Sequence, residues 1–313
     1  MLLELQVWSR IVWNLEIDSP CLCLNRSKYK YNQGRYEMLT STSNTVVEAL
    51  SKAIVRNDFA LPAPPTWAAK ALQMLDNIKV SHGKISPAIS IDPTFVGQLL
   101  KTANGAFYAH KPQVYSINAS VARIGYEKLR NLIISISMDE LSTIEKPALK
   151  KHLAEFRDHS REVAAICYVL AKSQKHLTQD EAMLAGLIHD VGRLPLLLYI
   201  ADKNLPVDDE TIASIMRKYS AVAGERLLKL WEFPPELVEI PMVHGDIHRD
   251  AAGTRASYAD IVTVAAMLSR SDAKAANWDN VTSVKRMGLD TELYHDFFDR
   301  FKKDLAAARE MLT

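Results

Sequence analysis

The sequence predicts an all-α protein, and three observations carry that prediction. Apolar residues recur at three- and four-residue intervals from Thr45 onward. Strand-like alternation joined by hairpin turns is missing over long stretches. Helix start and stop residues flank the periodic segments. At 313 residues the chain is long enough to bury a sizeable core.

Residues 1–44 read as an N-terminal extension, expected to be disordered as tails commonly are. In it Arg26, Lys28, Lys30 and Arg35 alternate with Tyr29, Tyr31 and Tyr36. Such interleaving can bind single-stranded nucleic acid, and a solvated tail is the more ordinary reading. Met38 opens a natural helix beginning, so residues 1–37 also admit the reading that translation starts there.

Residues 45–140 read as a first helical subdomain. "VVEALSKAIV" places Val46, Val47, Leu50, Ile54 and Val55 in helical phase. "LPAPP" is a break, with a helix from about Trp67. In "IDPTFVGQLLKTANG", Asp92 can cap, Pro93 fits the first turn, Val96, Leu99, Leu100 and Ala103 share a face, and Asn104-Gly105 ends the helix. Gly125 separates two short helices, and the β-branched "LIISIS" is assigned to the second of them.

Residues 141–275 read as a second subdomain. "ALKKHLAEFRDHSREVAAICYVLAKS" is a long amphipathic helix. Thr178 and Glu181 have capping-box spacing, and Gly192 is placed to end the helix they begin. Residues 276–313 form a C-terminal helical segment, with Leu293, Phe297, Phe301, Leu305 and Leu312 on one side.

Composition excludes several functions. The net charge of +1 gives no global attraction to a polyanion, so neither nucleic acid nor membrane is expected as a partner. The three cysteines, Cys21, Cys23 and Cys167, supply neither a disulfide framework nor a thiolate zinc site. No apolar run approaches the roughly 18 residues of a membrane span, and residues 1–20 make a poor signal peptide. The expectation is a cytoplasmic protein.

The chemistry-bearing residues centre on "GLIHDVGRLP", residues 186–195. His189 and Asp190 are adjacent, and an imidazole beside a carboxylate can share one metal ion. His159 lies on the apolar stripe with Phe156, Val163, Ile166 and Leu170, where a histidine needs a partner. Asp260 lies near a helix start, followed by Ile261, Val264 and Leu268, so it too can point inward. A structural role stays open for each: His159 as a satisfied core histidine, His189-Asp190 as a helix end, Asp260 as an N-terminal carboxylate favoured by the helix dipole. His244 and His248, with Asp246 and Asp250, read as a solvated loop.

The order His159, His189-Asp190, Asp260 resembles the HD-domain superfamily of metal-dependent phosphohydrolases. "LPAPPTWAAKALQMLDN", "ISIDPTFVGQLLKTANGAFY", "INASVARIGYEKLRNL", "AMLAGLIHDVGRLPLLL" and "AGERLLKLWEFPPELVEIPMVHG" together resemble an HDOD domain over roughly residues 58–270. The resemblance implies two packed helical subdomains, the C-terminal one HD-like, and one divalent metal held by His159, His189, Asp190 and Asp260. It implies a bacterial signalling protein that acts by binding a signalling protein or a small phosphorylated ligand. The alternative it implies is a phosphohydrolase acting on a nucleotide or cyclic dinucleotide. The related cyclic di-GMP phosphodiesterases carry a lysine where Arg193 stands, a histidine near Ser220 and a second histidine at Gly245. Arg193 remains a candidate phosphate clamp, though arginine is a poor proton donor. These departures favour binding over turnover.

Overall fold

The computed structural model describes residues 50, 61–76, 82–90, 93–108, 110–141, 146–250, 255–271, 273, 276–290 and 293–312. The readings made on residues 1–49 and 51–60, and the cap expected at Asp92, lie outside the described residues. Ser43–Thr313 form one compact unit. The described residues contain helices and no strand.

The N-terminal half contains α1 (Thr66–Leu75), α2 (His82–Ile89), α3 (Pro93–Ala103), α4 (Ile117–Ile124) and α5 (Tyr126–Leu141). Gly125, at φ 82°, separates α4 from α5 in a conformation that glycine adopts without strain. Trp67, Ile85, Phe95, Leu99, Val121 and Leu129 form one apolar core. The "LIISIS" stretch is helical and buried all round. Its β-branched side chains suit that position because α5 serves two cores at once. Leu129, Leu132, Ile133 and Ile136 face the first, while Ile134 and Met138 face the second. Burial on both faces outweighs the modest helix propensity of isoleucine. Asn131 is buried on the same helix and donates to Asp180 O at 2.9 Å, across the two cores.

The second core is built on α6 (Pro147–Ala171), against which α7 (Gln179–Ile188) packs along much of its length. Around this pair lie α8 (Arg193–Asp202), α9 (Asp209–Leu230), the short α10 (Pro235–Val238) and α11 (Ile240–Val243), α12 (Tyr258–Leu268) and α13 (Thr282–Met287). Thr178 caps α7 by accepting from Glu181 N, as its spacing predicts. The reciprocal partner differs: Thr178 N donates to the hydroxyl of Tyr258 on α12, so the cap also joins two helices.

Two expectations are corrected. Gly192 does not end α7, which stops at Ile188; Gly192 has right-handed φ −66° and ψ −15°. Its reason is space, since a Cβ there would lie 1.9 Å from Ser220 O and 2.4 Å from Gly224 N, both on α9. The C-terminal segment contains α13, then α14 (Leu293–Arg300) and α15 (Lys302–Glu310), which are separated at Phe301, with Phe297 and Leu305 both buried. Finally, an 18-residue window within residues 179–202 does reach the mean hydropathy (1.4) of a membrane span. In the fold 83% of that window is buried, and a turn at 189–192 divides the stretch, as for an inner helix pair of a packed core.

Candidate metal centre

The site forms at the α6–α7 crossing, with His244, which follows α11, beside it. At the α6–α7 crossing, a Cβ on Gly186 would stand 2.7 Å from Ala164 Cα and 2.9 Å from Ala164 N. Only glycine lets the helices approach this far, and the approach carries His159 of α6 toward His189, which follows α7. Gly192 then packs on Ser220 and Gly224 of α9. A Cβ on Gly224 would in turn meet Pro241 of α11 at 3.0 Å, which fixes the helix that leads into His244.

His159, His189 and Asp190 come together: one donor atom from each lies within 4.8 Å of the others. His189 and Asp190 are buried, at 1% and 8% exposure, and His159 is half-buried. The rings of His159 and His189 meet edge to face at 5.2 Å between centroids. On the other side His244 meets His189 in the same manner at 5.1 Å. Thus His244, which the sequence assigns to a solvated loop, joins the pocket wall. A signal was present in the sequence: the apolar "IPMV" just before it is one short helix, α11, not a loop.

Two imidazoles are held in a defined tautomer. His189 Nδ1 lies 2.7 Å from Gly186 O and His244 Nδ1 lies 3.0 Å from Ile240 O. A carbonyl oxygen accepts only, so each Nδ1 carries the proton and each Nε2 presents a lone pair. Such a second partner orients an imidazole for metal ligation. Burial, reinforced by His244, pushes the His189 pKa down to about 3, and burial lowers that of His159. Both rings stay neutral near pH 7, the form that binds metal. Burial acts against the Asp190 carboxylate, but His189, Arg193 and the two other histidines hold it below its ordinary range.

Arg193, the candidate phosphate clamp, is turned toward Asp190, with Nε 2.5 Å from Oδ2. Its charge stands against the carboxylate of the cluster, with about two-fifths of the side chain exposed.

Asp260 is placed elsewhere. It is fully buried as the third residue of α12, where it forms a capping box with Ser257. Its Oδ1 accepts from Arg286 Nη2 at 2.6 Å, Arg249 Nη2 at 2.9 Å and Ser283 Oγ at 2.8 Å. Its Oδ2 accepts from Ser257 N at 2.8 Å and Ser257 Oγ at 2.9 Å. Both oxygens are therefore committed to a structural network that ties the 246–250 loop to α12 and α13. The inward direction expected for Asp260 is correct, but two guanidiniums meet it there instead of the histidines. His248 is also away from the pocket, its Nδ1 on Asn280 O at 3.1 Å.

A helical domain whose helix crossing assembles a buried histidine–aspartate cluster is the class that this fold and site define. The HDOD domain profile matches residues 61–247, and the chain belongs to the HDOD domain family. Solved structures agree on the fold. A Shewanella amazonensis protein, described as a candidate metal-dependent phosphohydrolase, superposes with a TM-score of 0.73 at 22% identity, over 87% of this chain and 100% of that one. An HDOD domain protein from Geobacter sulfurreducens gives 0.59 at 18% identity, over 89% and 99%. A Marinobacter aquaeolei protein, described as a candidate signal transduction protein, gives 0.56 at 18%, over 87% and 66%. No curated protein sequence matches the chain.

Proposed function

We propose that this HDOD protein is a signal-transduction module that works by binding, with a metal-loaded pocket that supports recognition and not turnover. The donor set fits one divalent ion. His159, His189 and Asp190 would hold it, and a side-chain rotation would bring His244 in as a fourth donor. Ligands about 2.1 Å from a tetrahedral ion stand roughly 3.4 Å apart, so the present grouping needs a contraction on the order of 1 Å. A donor set rich in imidazole selects a transition metal over magnesium or calcium. A bound ion would supply Lewis acidity; His159 and His189 stay neutral and Arg193 competes for the carboxylate.

The observation that carries the binding reading is the Arg193–Asp190 ion pair. A hydrolytic site needs a cation free to meet the phosphoryl oxygens as charge develops. Here the nearest arginine is already committed to the ligand carboxylate. The partner would be a signalling protein or a small phosphorylated ligand, and the protein would act in the cytoplasm. The names given to the Shewanella and Marinobacter relatives support both a phosphohydrolase-like and a signalling reading, and the ion pair favours the second.

The test is to load the purified full chain with manganese, zinc or iron(II), measure bound metal by elemental analysis, and assay an aryl phosphodiester and cyclic dinucleotides. Stoichiometric metal without turnover is expected. Hydrolysis lost in both His189→Ala and Asp190→Ala would establish the phosphohydrolase instead. No retained metal would remove the metal pocket from either reading.

A further inference from the structure

The loop between α3 and α4, residues 104–116, is pinned from inside and presents aromatic rings outside. Asn104 closes it, donating from Nδ2 to Val114 O at 2.8 Å and accepting at Oδ1 from Val114 N at 2.9 Å. Arg123 of α4 reaches back to the carbonyls of Ala103, at 3.2 Å, and Pro112. A loop with its polar groups satisfied in this way is preorganised, so ordering it costs little on binding. On its outer side Tyr115 is 82% exposed and Phe107 40%. Neither ring serves the first apolar core as its main occupation.

Basic side chains lie beside these rings, with Asp180 of α7 also within electrostatic reach of Tyr108 and Lys128. Residues 93–126 carry Lys101, Lys111 and Arg123 and no aspartate or glutamate. Lys128 of α5 places its ammonium 4.5 Å from the Phe107 ring centroid, and Lys111 lies 5.9 Å from that of Tyr108. His110 and Lys111 are exposed. The C-terminal helix does bring Glu310 against Gly105, at the root of the loop and away in sequence from Tyr115.

From this arrangement we propose that the 104–116 loop is a docking surface for single-stranded nucleic acid, stacking bases on Tyr115 and Phe107 while Lys111 and Lys128 meet phosphates. Bases stack on aromatic rings whatever their identity, and lysine beside such rings is the usual composition of single-strand binders. Lysine is depleted at protein–protein interfaces, which makes an acidic protein segment the weaker fit. A duplex would need an element shaped for a groove, which a pinned loop does not offer. The overall charge of +1 does not oppose this, because it averages over the whole surface.

The experiment is fluorescence anisotropy of the full chain with a labelled oligo(dT) of about 12 nucleotides, within the site size of one such module, across a salt series. Binding that weakens with salt is expected. Tyr115→Ala should weaken it by about 5- to 100-fold. Lys111→Gln should lower the slope of log affinity against log salt by about 0.7. Tyr115 is too exposed for its loss to unfold the protein, and an unchanged melting temperature confirms that. The proposal is overturned by absence of binding at low salt, or by binding that Tyr115→Ala and Phe107→Ala leave unchanged. It is equally overturned if Tyr29→Ala/Tyr31→Ala alone abolishes binding, which would place it in the N-terminal segment. Tighter, Tyr115-dependent capture of polyglutamate than of oligo(dT) would reassign the loop to an acidic protein.

Discussion

Arg193 Nε sits 2.5 Å from Oδ2 of Asp190, so the one carboxylate of the histidine cluster already has a cation as its neighbour. A metal ion must replace that interaction or share it. Asp190 is almost fully buried while Arg193 is about two-fifths exposed, so the ion and the arginine compete for one buried carboxylate.

The first prediction follows from this competition. Arg193→Gln leaves Asp190 unneutralised and should tighten binding of zinc or manganese. A partly exposed ion pair is worth about 1 kcal/mol, which corresponds to about a fivefold gain in affinity. Titration calorimetry against a competing chelator measures it. Unchanged or weaker binding would show that Arg193 does not compete with the ion.

The second concerns the donors themselves. His189→Ala removes the central ring, which touches both other imidazoles, and should abolish measurable metal binding. His244→Ala should lower affinity by roughly 10- to 100-fold, the range seen when a supporting group at a metal site is lost. Asp260→Asn should leave metal affinity nearly intact, because that carboxylate is committed to Arg249 and Arg286. Elemental analysis of the three variants after equal loading separates these outcomes.

Asp260 matters for stability instead. Burial disfavours its charged form, but hydrogen bonds from Arg286, Ser257, Arg249 and Ser283 outweigh that and hold its carboxyl well below the usual carboxylate range. A depressed folded-state pKa contributes stability that is fully present above the unfolded value, about 4, and is lost as pH falls toward the folded one. Asp260→Asn leaves two largely buried guanidiniums without their carboxylate and should cost about 3–5 kcal/mol at pH 7. The deficit should shrink on acidification below about pH 4. Urea denaturation at a series of pH values tests both the size and the sign.

A fourth prediction probes the close approaches that build the pocket. Gly192→Ala drives a methyl into the α9 backbone at Ser220 and should cost at least about 3 kcal/mol, a fall in melting temperature of roughly 10 °C. Gly97→Ala, inside α3 with nothing within 4 Å of the added carbon, should instead stabilise the protein by about 0.5–1 kcal/mol. Thermal melts of the two variants should therefore move in opposite directions.

Much of the helical fold was legible. Apolar periodicity located α6, whose Phe156 and Val163 are fully buried, and the Thr178 cap opens α7. The helix boundary at Gly125 was legible because only the backbone of that residue decides it. What escaped the sequence were interactions between distant segments. Gly192 looked like a helix terminator, but its partner, Ser220 O, lies nearly thirty residues on and leaves no local trace.

By itself the sequence determined the helices, their order and the adjacency of His189 and Asp190, because propensity, periodicity and capping act over a few residues. The inward direction of His159 and Asp260 follows equally from helical phase. Only the tertiary structure decided which inward-facing groups meet. His244 reaches His189 because Gly224 lets Pro241, and with it α11, pack close. Asp260 goes to Arg249 and Arg286 because a buried carboxylate is costly without a counter-charge, and two arginines from neighbouring segments reached it. Position along a helix says which way a side chain points, and the packing of helices says what waits there.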